Sequence, residues 1–210
     1  MANLIKTIDV TAIDSSPRGI TTDGKYLWWC GDNKNIIVQM DKLGNVLKTI
    51  AVGSIDRNPY GITTDGKYLW WVGEDTPYIV QMDKSGNVIK TIDISLIDSS
   101  PRGITTDGKY LWWYGRQYNY IYQIDKEGNL INTIDVSLID SNIYGITTDG
   151  KYLWITGLEK FNIYKIDKKG NLLNTIYVEI IDSEPIGITT DGKYLWWTGD
   201  LENYIYQMAI

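Results

Sequence analysis

The stretch Gly61-Ile62-Thr63-Thr64-Asp65-Gly66-Lys67-Tyr68-Leu69-Trp70 decides the fold, because the chain contains it five times. The same ten residues begin at Gly19, Gly103, Gly145 and Gly187, so successive copies start 42 residues apart. Five such copies account for all 210 residues. A fixed period of this length over a whole chain is the signature of a repeat architecture.

Each copy has the pattern of four short strands joined by turns. In the second copy we predict strands at residues 61–64, 68–72, 78–82 and 87–94, which are rich in β-branched and aromatic residues. Asp65-Gly66 suits a tight hairpin turn, and residues 83–86 suit a type I turn closed by a glycine. Apolar residues do not recur with the 3.6-residue period of a helix. Four antiparallel strands per repeat of about 40 residues predict an all-β, five-bladed β-propeller.

The position of the first strand predicts how the ring closes. The last copy ends at Ile210 after its third strand, and residues 3–10 match residues 45–52, a fourth strand. We therefore expect residues 3–10 to pair beside residues 204–208 and to complete the last blade. The predicted single domain covers residues 1–210, with blades at 19–52, 61–94, 103–136, 145–178, and 187–210 plus 3–10. A closed ring of complete blades favours a monomer.

The repeat resembles a known group of propeller repeats. Residues 59–70, which read Pro-Tyr-Gly-Ile-Thr-Thr-Asp-Gly-Lys-Tyr-Leu-Trp, are similar to NHL and YVTN-type repeats and to the related virginiamycin B lyase repeats. The resemblance covers all five copies, although the fourth has Ile143 in place of proline. It implies a propeller fold, which hosts unrelated functions. Lyases of that group depend on a histidine base, and this chain has no histidine.

Composition narrows the classes of function. The net charge of −6 argues against nucleic acid as a partner, because binding to phosphates depends on Lys and Arg. The sequence contains no long apolar stretch and no basic run, so it predicts no membrane partner. The single Cys30 and an N-terminus without a signal-peptide pattern favour an intracellular location. With no histidine, one cysteine and no Gly-x-Ser-x-Gly motif, the sequence predicts no cofactor and no enzymatic activity.

Differences between the copies predict two unlike faces. The Asp-Gly-Lys-Tyr turn is the same in all five copies, and an Asp-Lys-x-Gly turn recurs in four. Both turns are expected on one face of the disc, which we name the uniform face. The loop after the second strand varies, as does the residue before the first glycine of each copy. These loops (residues 32–35, 74–77, 116–119, 158–161 and 200–203) define the opposite, variable face. Function usually lies in loops on a rigid scaffold.

Candidate ligand-binding residues follow from this asymmetry. Near the channel mouth, the residues before the glycines are Arg18, Tyr60, Arg102 and Tyr144. Tyr114, Arg116 and Tyr118 form the most aromatic cluster. The second tryptophan of each pair lies nearer the variable face and offers a flat ring for stacking; these residues are Trp29, Trp71, Trp113 and Trp197. Ile155 replaces it in the fourth copy, which argues against an obligatory role.

Three hypotheses of function remain open from the sequence. The first is a multivalent, lectin-like binding propeller whose ligand is a carbohydrate or another repeated small molecule. The second is a structural scaffold without a specific ligand, since near-identical copies indicate recent amplification or an engineered, symmetrised protein. The third is a glycosidase-like enzyme, whose carboxylates would be drawn from those unique to one copy: Glu74, Glu159, Glu179, Glu184 and Glu202. The aspartates that recur in every copy are assigned to hydrogen bonds with nearby backbone.

Overall fold

The protein is all-β, and its strands form five separate four-stranded antiparallel sheets. The computed structural model describes residues 3–182 and 184–210, and these residues contain no helix. Blade 1 contains β2 (Pro17–Thr22), β3 (Tyr26–Gly31), β4 (Ile36–Asp41) and β5 (Val46–Ala51). Blade 2 contains β6 (Pro59–Thr64), β7 (Tyr68–Gly73), β8 (Tyr78–Asp83) and β9 (Val88–Asp93). The predicted five-bladed propeller is confirmed.

The remaining blades repeat this arrangement. Blade 3 contains β10 (Pro101–Thr106), β11 (Leu111–Gly115), β12 (Tyr120–Ile124) and β13 (Leu130–Asp135). Blade 4 contains β14 (Ile143–Thr148), β15 (Leu153–Gly157), β16 (Asn162–Ile166) and β17 (Leu172–Tyr177). Blade 5 contains β18 (Pro185–Thr190), β19 (Tyr194–Gly199), β20 (Tyr204–Ala209) and, from the start of the chain, β1 (Leu4–Asp9).

Pairing of β1 with β20 closes the ring as predicted. Thr7 lies opposite Tyr206, and Asp9 lies opposite Tyr204, in an antiparallel register. The backbone N–H of Val10 also donates to the carbonyl of Asn203 at 3.0 Å. The first strand of the chain is therefore the outermost strand of the last blade.

The recurring aspartates of the first turn have the structural role predicted for them. Oδ1 of Asp65 accepts hydrogen bonds from the backbone N–H groups of Lys67 at 3.1 Å and Tyr68 at 2.8 Å. Oδ2 accepts one from the indole N–H of Trp70 at 3.1 Å. Gly66 has a φ of +89°, a conformation that glycine adopts without steric cost. The Asp-Gly pair thus forms the turn and orients the first tryptophan of the blade.

Ion pairs link neighbouring blades on the uniform face. The lysine of each Asp-Lys-x-Gly turn reaches the first-turn aspartate of the preceding blade, at 2.7–2.9 Å; the pairs are Lys42–Asp191, Lys84–Asp23, Lys126–Asp65 and Lys168–Asp107. Burial opposes ionisation of Asp23, but the hydrogen bonds from Lys84 and the Tyr26 N–H outweigh it and lower its pKa. Both conserved turns of the repeat therefore lie on one face.

The inner strands contact each other directly around the axis. A Cβ atom on Gly61 would lie 2.9 Å from the backbone nitrogen of Ile104 in the next blade, and one on Gly19 would lie 2.8 Å from that of Ile62. Only glycine permits this approach. The space left on the axis is narrow, and the inner glycines and isoleucines line it together with Tyr60 and Tyr144.

Candidate functional site

The loops that differ between the copies gather on the face opposite the lysine–aspartate pairs. The backbone N–H of Asp32 donates to the carbonyl of Ser16 at 3.0 Å, and that of Arg116 donates to the carbonyl of Ser100 at 3.0 Å. Each loop after a second strand is therefore fixed beside the connector that leads into its own blade. The charge and aromatic differences of the five copies lie on this variable face.

Four predicted site residues meet over the axis and close it. The guanidinium carbon of Arg102 lies 4.5 Å from the ring centroid of Tyr60 and 4.1 Å from that of Tyr144. Arg18 lies 5.3 Å from the Tyr60 centroid, and the two tyrosine rings are 5.9 Å apart. Cations are attracted to the faces of aromatic rings at these distances. Arg102 and Tyr60 are only 5% and 8% exposed, so this cluster is a plug and not an open channel mouth.

Arg18 is paired with two carboxylates. Its Nη2 lies 3.3 Å from Oδ2 of Asp32 in blade 1, and its Nη1 lies 2.5 Å from Oδ2 of Asp200 in blade 5. The hydroxyl of Ser16 also donates to Asp200 at 3.3 Å. One cation and two anions give this half of the plug a formal charge of −1.

Arg102 has the same connector but different neighbours. The loop of its own blade supplies Arg116 where blade 1 has Asp32, and the loop of the preceding blade supplies Glu74. Oε1 of Glu74 lies 3.5 Å from Nη2 of Arg102, while Nη1 is buried and has no hydrogen-bond partner among residues 3–182 and 184–210. Two cations and one anion give this half a formal charge of +1.

A small cavity lies beside Arg102 between blades 2 and 3. It has a volume of about 50 Å³, and Glu74, Ser100, Pro101, Arg102 and Arg116 line it. Asp98 holds its walls in place, because its Oδ1 accepts from the N–H of Ser100 at 2.9 Å and its Oδ2 accepts from the N–H of Tyr118 at 3.3 Å. The cavity therefore combines a fixed wall with two guanidinium groups.

The predicted cluster of Tyr114, Arg116 and Tyr118 separates into exposed and buried members. Arg116 is exposed, and Tyr118 is 52% exposed with its hydroxyl accepting from Nε2 of Gln117 at 2.9 Å. Tyr114 is fully buried, and its hydroxyl donates to Oδ1 of Asn119 at 2.6 Å. Burial raises the pKa of Tyr114 to about 12. Tyr114 therefore supports the loop from below and is not open to a ligand.

The prediction that the second tryptophans face a ligand is wrong. Trp29, Trp71, Trp113 and Trp197 are all 0% exposed. Neighbouring residues on a strand point to opposite faces of the sheet, and in a propeller both faces are covered. Trp28 packs among residues of blades 1 and 2, whereas Trp29 packs among residues of blades 5 and 1. The tryptophan pair thus belongs to the core between blades.

Two of the carboxylates that the glycosidase hypothesis names lie against neighbouring polar groups. Glu159 accepts from the N–H and the hydroxyl of Ser141, and Glu74 faces Arg102. Burial raises the pKa of Asp182 to about 6, with smaller contributions from Glu184 and Glu202, but Asp182 is 2% exposed and accepts from the indole of Trp197. Within the described residues no cluster of His, Cys, Asp or Glu suits a metal ion, and no helix could cross a membrane.

Comparison with solved structures finds the same architecture in proteins of different function. Glutaminyl cyclase from Myxococcus xanthus aligns over 99% of this chain and 95% of its own, with a TM-score of 0.81 at 11% identity. Virginiamycin B lyase from Staphylococcus aureus aligns over 98% of both chains, with a TM-score of 0.62 at 17% identity. A chain of a nidogen/laminin complex covers 77% of this chain and 63% of its own, with a TM-score of 0.60 at 19% identity. No family model and no curated protein matches the sequence.

These neighbours confirm one prediction and correct another. The resemblance to NHL-like propellers, including the lyase group, holds at the level of the fold. The prediction of no enzymatic activity, made from the missing histidine, the single cysteine and the absent Gly-x-Ser-x-Gly motif, is contradicted, because structural neighbours of this chain are a cyclase and lyases. The physical reason is that the fold fixes strands and leaves the chemistry to its loops. At these identities the likeness shows the fold alone.

Proposed function

We propose that this protein binds a small ligand on its variable face, in the cavity between blades 2 and 3. The observation that carries the proposal is the state of Arg102: its side chain is buried, its Nη1 has no partner in the described chain, and it lines a cavity. A ligand that accepts a hydrogen bond from the Arg102 guanidinium, turned toward the cavity, would complete the site.

The free energy of an unpaired buried donor supports this proposal. Leaving a buried polar group without a partner costs about 1–3 kcal/mol, and more when the group is charged. Nearly all buried polar groups in proteins therefore have a partner. Arg18 follows this rule on the same scaffold, with Asp32 and Asp200 as its partners. Arg102 departs from it next to a cavity, and a rotation of its guanidinium would bring the enclosed Nη1 to a ligand atom there.

The same reasoning favours one site over five. Only blades 1 and 3 have arginine before the first glycine; Arg102 is flanked by the small cavity and by Arg116, whereas Arg18 is flanked by Asp32 and Asp200. The lectin-like, multivalent arrangement would use up to five similar sites, and the fully buried tryptophans provide no stacking platforms for it. We therefore propose a single recognition site whose selectivity is set by the loops of blades 2 and 3.

A search with a library of small molecules, including neutral and acidic sugars, tests the proposal through thermal shift. A ligand at 100 times its Kd should stabilise the fold by about 2.7 kcal/mol, which is a clear rise in Tm. We expect the shift to disappear in Arg102→Met and to persist in Arg57→Ala, which removes a rim arginine that is 73% exposed. A library without stabilising compounds, or hits that Arg102→Met leaves unchanged, would favour the scaffold without a ligand.

A further inference from the structure

We infer that the ligand of this cavity presents a carboxylate group to Arg102 and Arg116. The inference rests on the proposed function and deepens it. It comes from the comparison of two equivalent arginines within one chain, one of which already has carboxylates around it.

The connectors and inner strands around the two arginines are the same. Residues 13–29 and residues 97–113 have identical sequences, so both guanidinium groups leave the same backbone at the same point. In blade 1 the loop beside Arg18 supplies a carboxylate from Asp32, 3.3 Å away. In blade 3 the equivalent residue is Arg116, which removes a carboxylate and adds a second guanidinium. A ligand carboxylate would restore the partner that blade 1 supplies from its own loop.

The charge of the site favours a monoanion. Arg102, Arg116 and Glu74 carry a formal charge of +1, so one carboxylate neutralises the group. A dianion would leave a net negative charge beside Glu74 in a partly buried place, where charges are poorly screened. Guanidinium groups bind carboxylates through two parallel hydrogen bonds, which gives the contact its geometry.

The size of the cavity limits how much of the ligand enters it. The cavity, with a volume of about 50 Å³, suits a small group such as a carboxylate. Ser100 lines the same space, and its hydroxyl is a further donor. The rest of a larger ligand must lie outside the cavity, next to the loop that carries Arg116 and Tyr118. Selectivity among carboxylates would then depend on this loop.

Titrations followed by NMR can detect the weak binding expected of such small molecules. For acetate we expect saturable shifts of the amide signals of Ser100 and Arg116, with a Kd of about 1–10 mM given its few atoms. Acetamide has the same shape without the charge and should cause no saturable shift. D-glucuronate should bind where D-glucose does not, and inorganic phosphate should bind more weakly than acetate.

Variants with opposite expected effects separate recognition from folding. Arg116→Ala changes an exposed side chain and should weaken acetate binding about tenfold or more, since it removes a charge-assisted hydrogen bond. Glu74→Gln removes the competing carboxylate and should tighten binding several-fold. A residue that only maintains the fold would not improve binding when replaced. Asp32→Arg copies the loop charge of blade 3 into blade 1 and should create a second, weaker acetate site at Arg18.

The outcomes distinguish this inference from the proposed function. Equal binding of acetamide and acetate, binding of phosphate alone, or acetate shifts that Arg116→Ala and Glu74→Gln leave unchanged would overturn the carboxylate. A neutral compound whose binding requires Arg102 would overturn it as well, while the proposed function would stand. If none of these compounds perturbs the cavity residues, the carboxylate inference fails, and the library search still decides the proposed function.

Discussion

Blades 1 and 3 have the same connector and inner strands, but the groups around their axial arginines carry opposite formal charges. They share residues 13–29 and 97–113 without a single difference, and each sends an arginine over the axis. Arg18 meets two aspartates, whereas Arg102 meets one glutamate and lies beside a second arginine. The scaffold therefore determines where the guanidinium lies, and the loops alone determine whether it is satisfied.

The comparison also shows that each axial site belongs to two blades. Arg18 receives Asp32 from its own blade and Asp200 from the preceding one, and Arg102 is flanked in the same way by Arg116 and Glu74. A change in one loop thus alters the charge around two neighbouring axial positions. This coupling lets a few substitutions convert a neutralised arginine into one with an unpaired donor.

The largest expected effect tests the shared scaffold. Gly19→Ala and Gly103→Ala would each place a Cβ atom 2.8 Å from a backbone nitrogen of the next blade, Ile62 in one case and Ile146 in the other. We expect both to lower the free energy of unfolding by about 3 kcal/mol or more, because backbone cannot move aside cheaply. Urea unfolding measures this. Losses that differ by more than about 1 kcal/mol would contradict the equivalence of the two blades.

The next effect should separate the two arginines. Arg18→Met leaves Asp32 and Asp200 without their cation, which typically costs about 3 kcal/mol. Arg102→Met removes an unpaired donor together with one long contact to Glu74, which offsets part of the lost contact with Tyr60 and Tyr144, so it should cost no more than about 1 kcal/mol. The same unfolding assay compares them. Equal losses would mean that the carboxylates around Arg18 contribute no more than the tyrosines around Arg102.

A dependence on pH should distinguish the same pair of variants. Burial raises the pKa of Asp32, and Arg18 partly opposes this. The folded protein therefore holds that proton more tightly than the unfolded chain, whose ordinary value is 3.8, and stability falls as the pH rises from below 3.8 to above the folded pKa. In Arg18→Met the pKa should rise further, so the fall should be larger and extend to higher pH. Arg102→Met takes a cation only from Glu74, which is half exposed, so its added fall should be smaller than that of Arg18→Met, as unfolding between pH 3 and 8 would reveal.

The smallest effect is expected on the uniform face, where the two blades do not differ. Lys84→Ala and Lys168→Ala remove ion pairs of 2.8 and 2.9 Å with Asp23 and Asp107. These lysines are partly exposed, so each loss should be about 0.5–1 kcal/mol, and added salt should reduce it. A loss in one variant only would show that the uniform face is less regular than its sequence.

The fold could be predicted almost completely from the sequence, because the same strand pattern recurs five times along the chain. The place of the first strand in the last blade followed from its match to residues 45–52, and the structure has β1 beside β20. The burial of Trp29 and its copies was predicted wrongly. Strand alternation shows that two adjacent tryptophans point in opposite directions, but it does not show how far each blade extends over its neighbour.

The candidate site was predicted only in part. Arg18, Tyr60, Arg102 and Tyr144 were grouped correctly, since equivalent positions in a ring converge on its axis. Their partners Asp32, Asp200 and Glu74 were missed, because the sequence does not show which loop side chains turn toward the axis. A signal was present: the first loop position reads Asp, Glu, Arg, Leu and Asp in the five blades, a change of charge where the strands hardly vary.

The contact between the inner glycines also sets the number of copies that this repeat can support. Five glycine-bearing strands meet with almost no space between them, so a ring of four would force their backbones to overlap. A ring of six would move the strands apart and open a channel on the axis, and glycines have no side chains to fill it. If a sixth 42-residue repeat were added to the chain, we expect it to lie outside the ring as an unpaired blade, unless larger residues replaced the glycines at the same time.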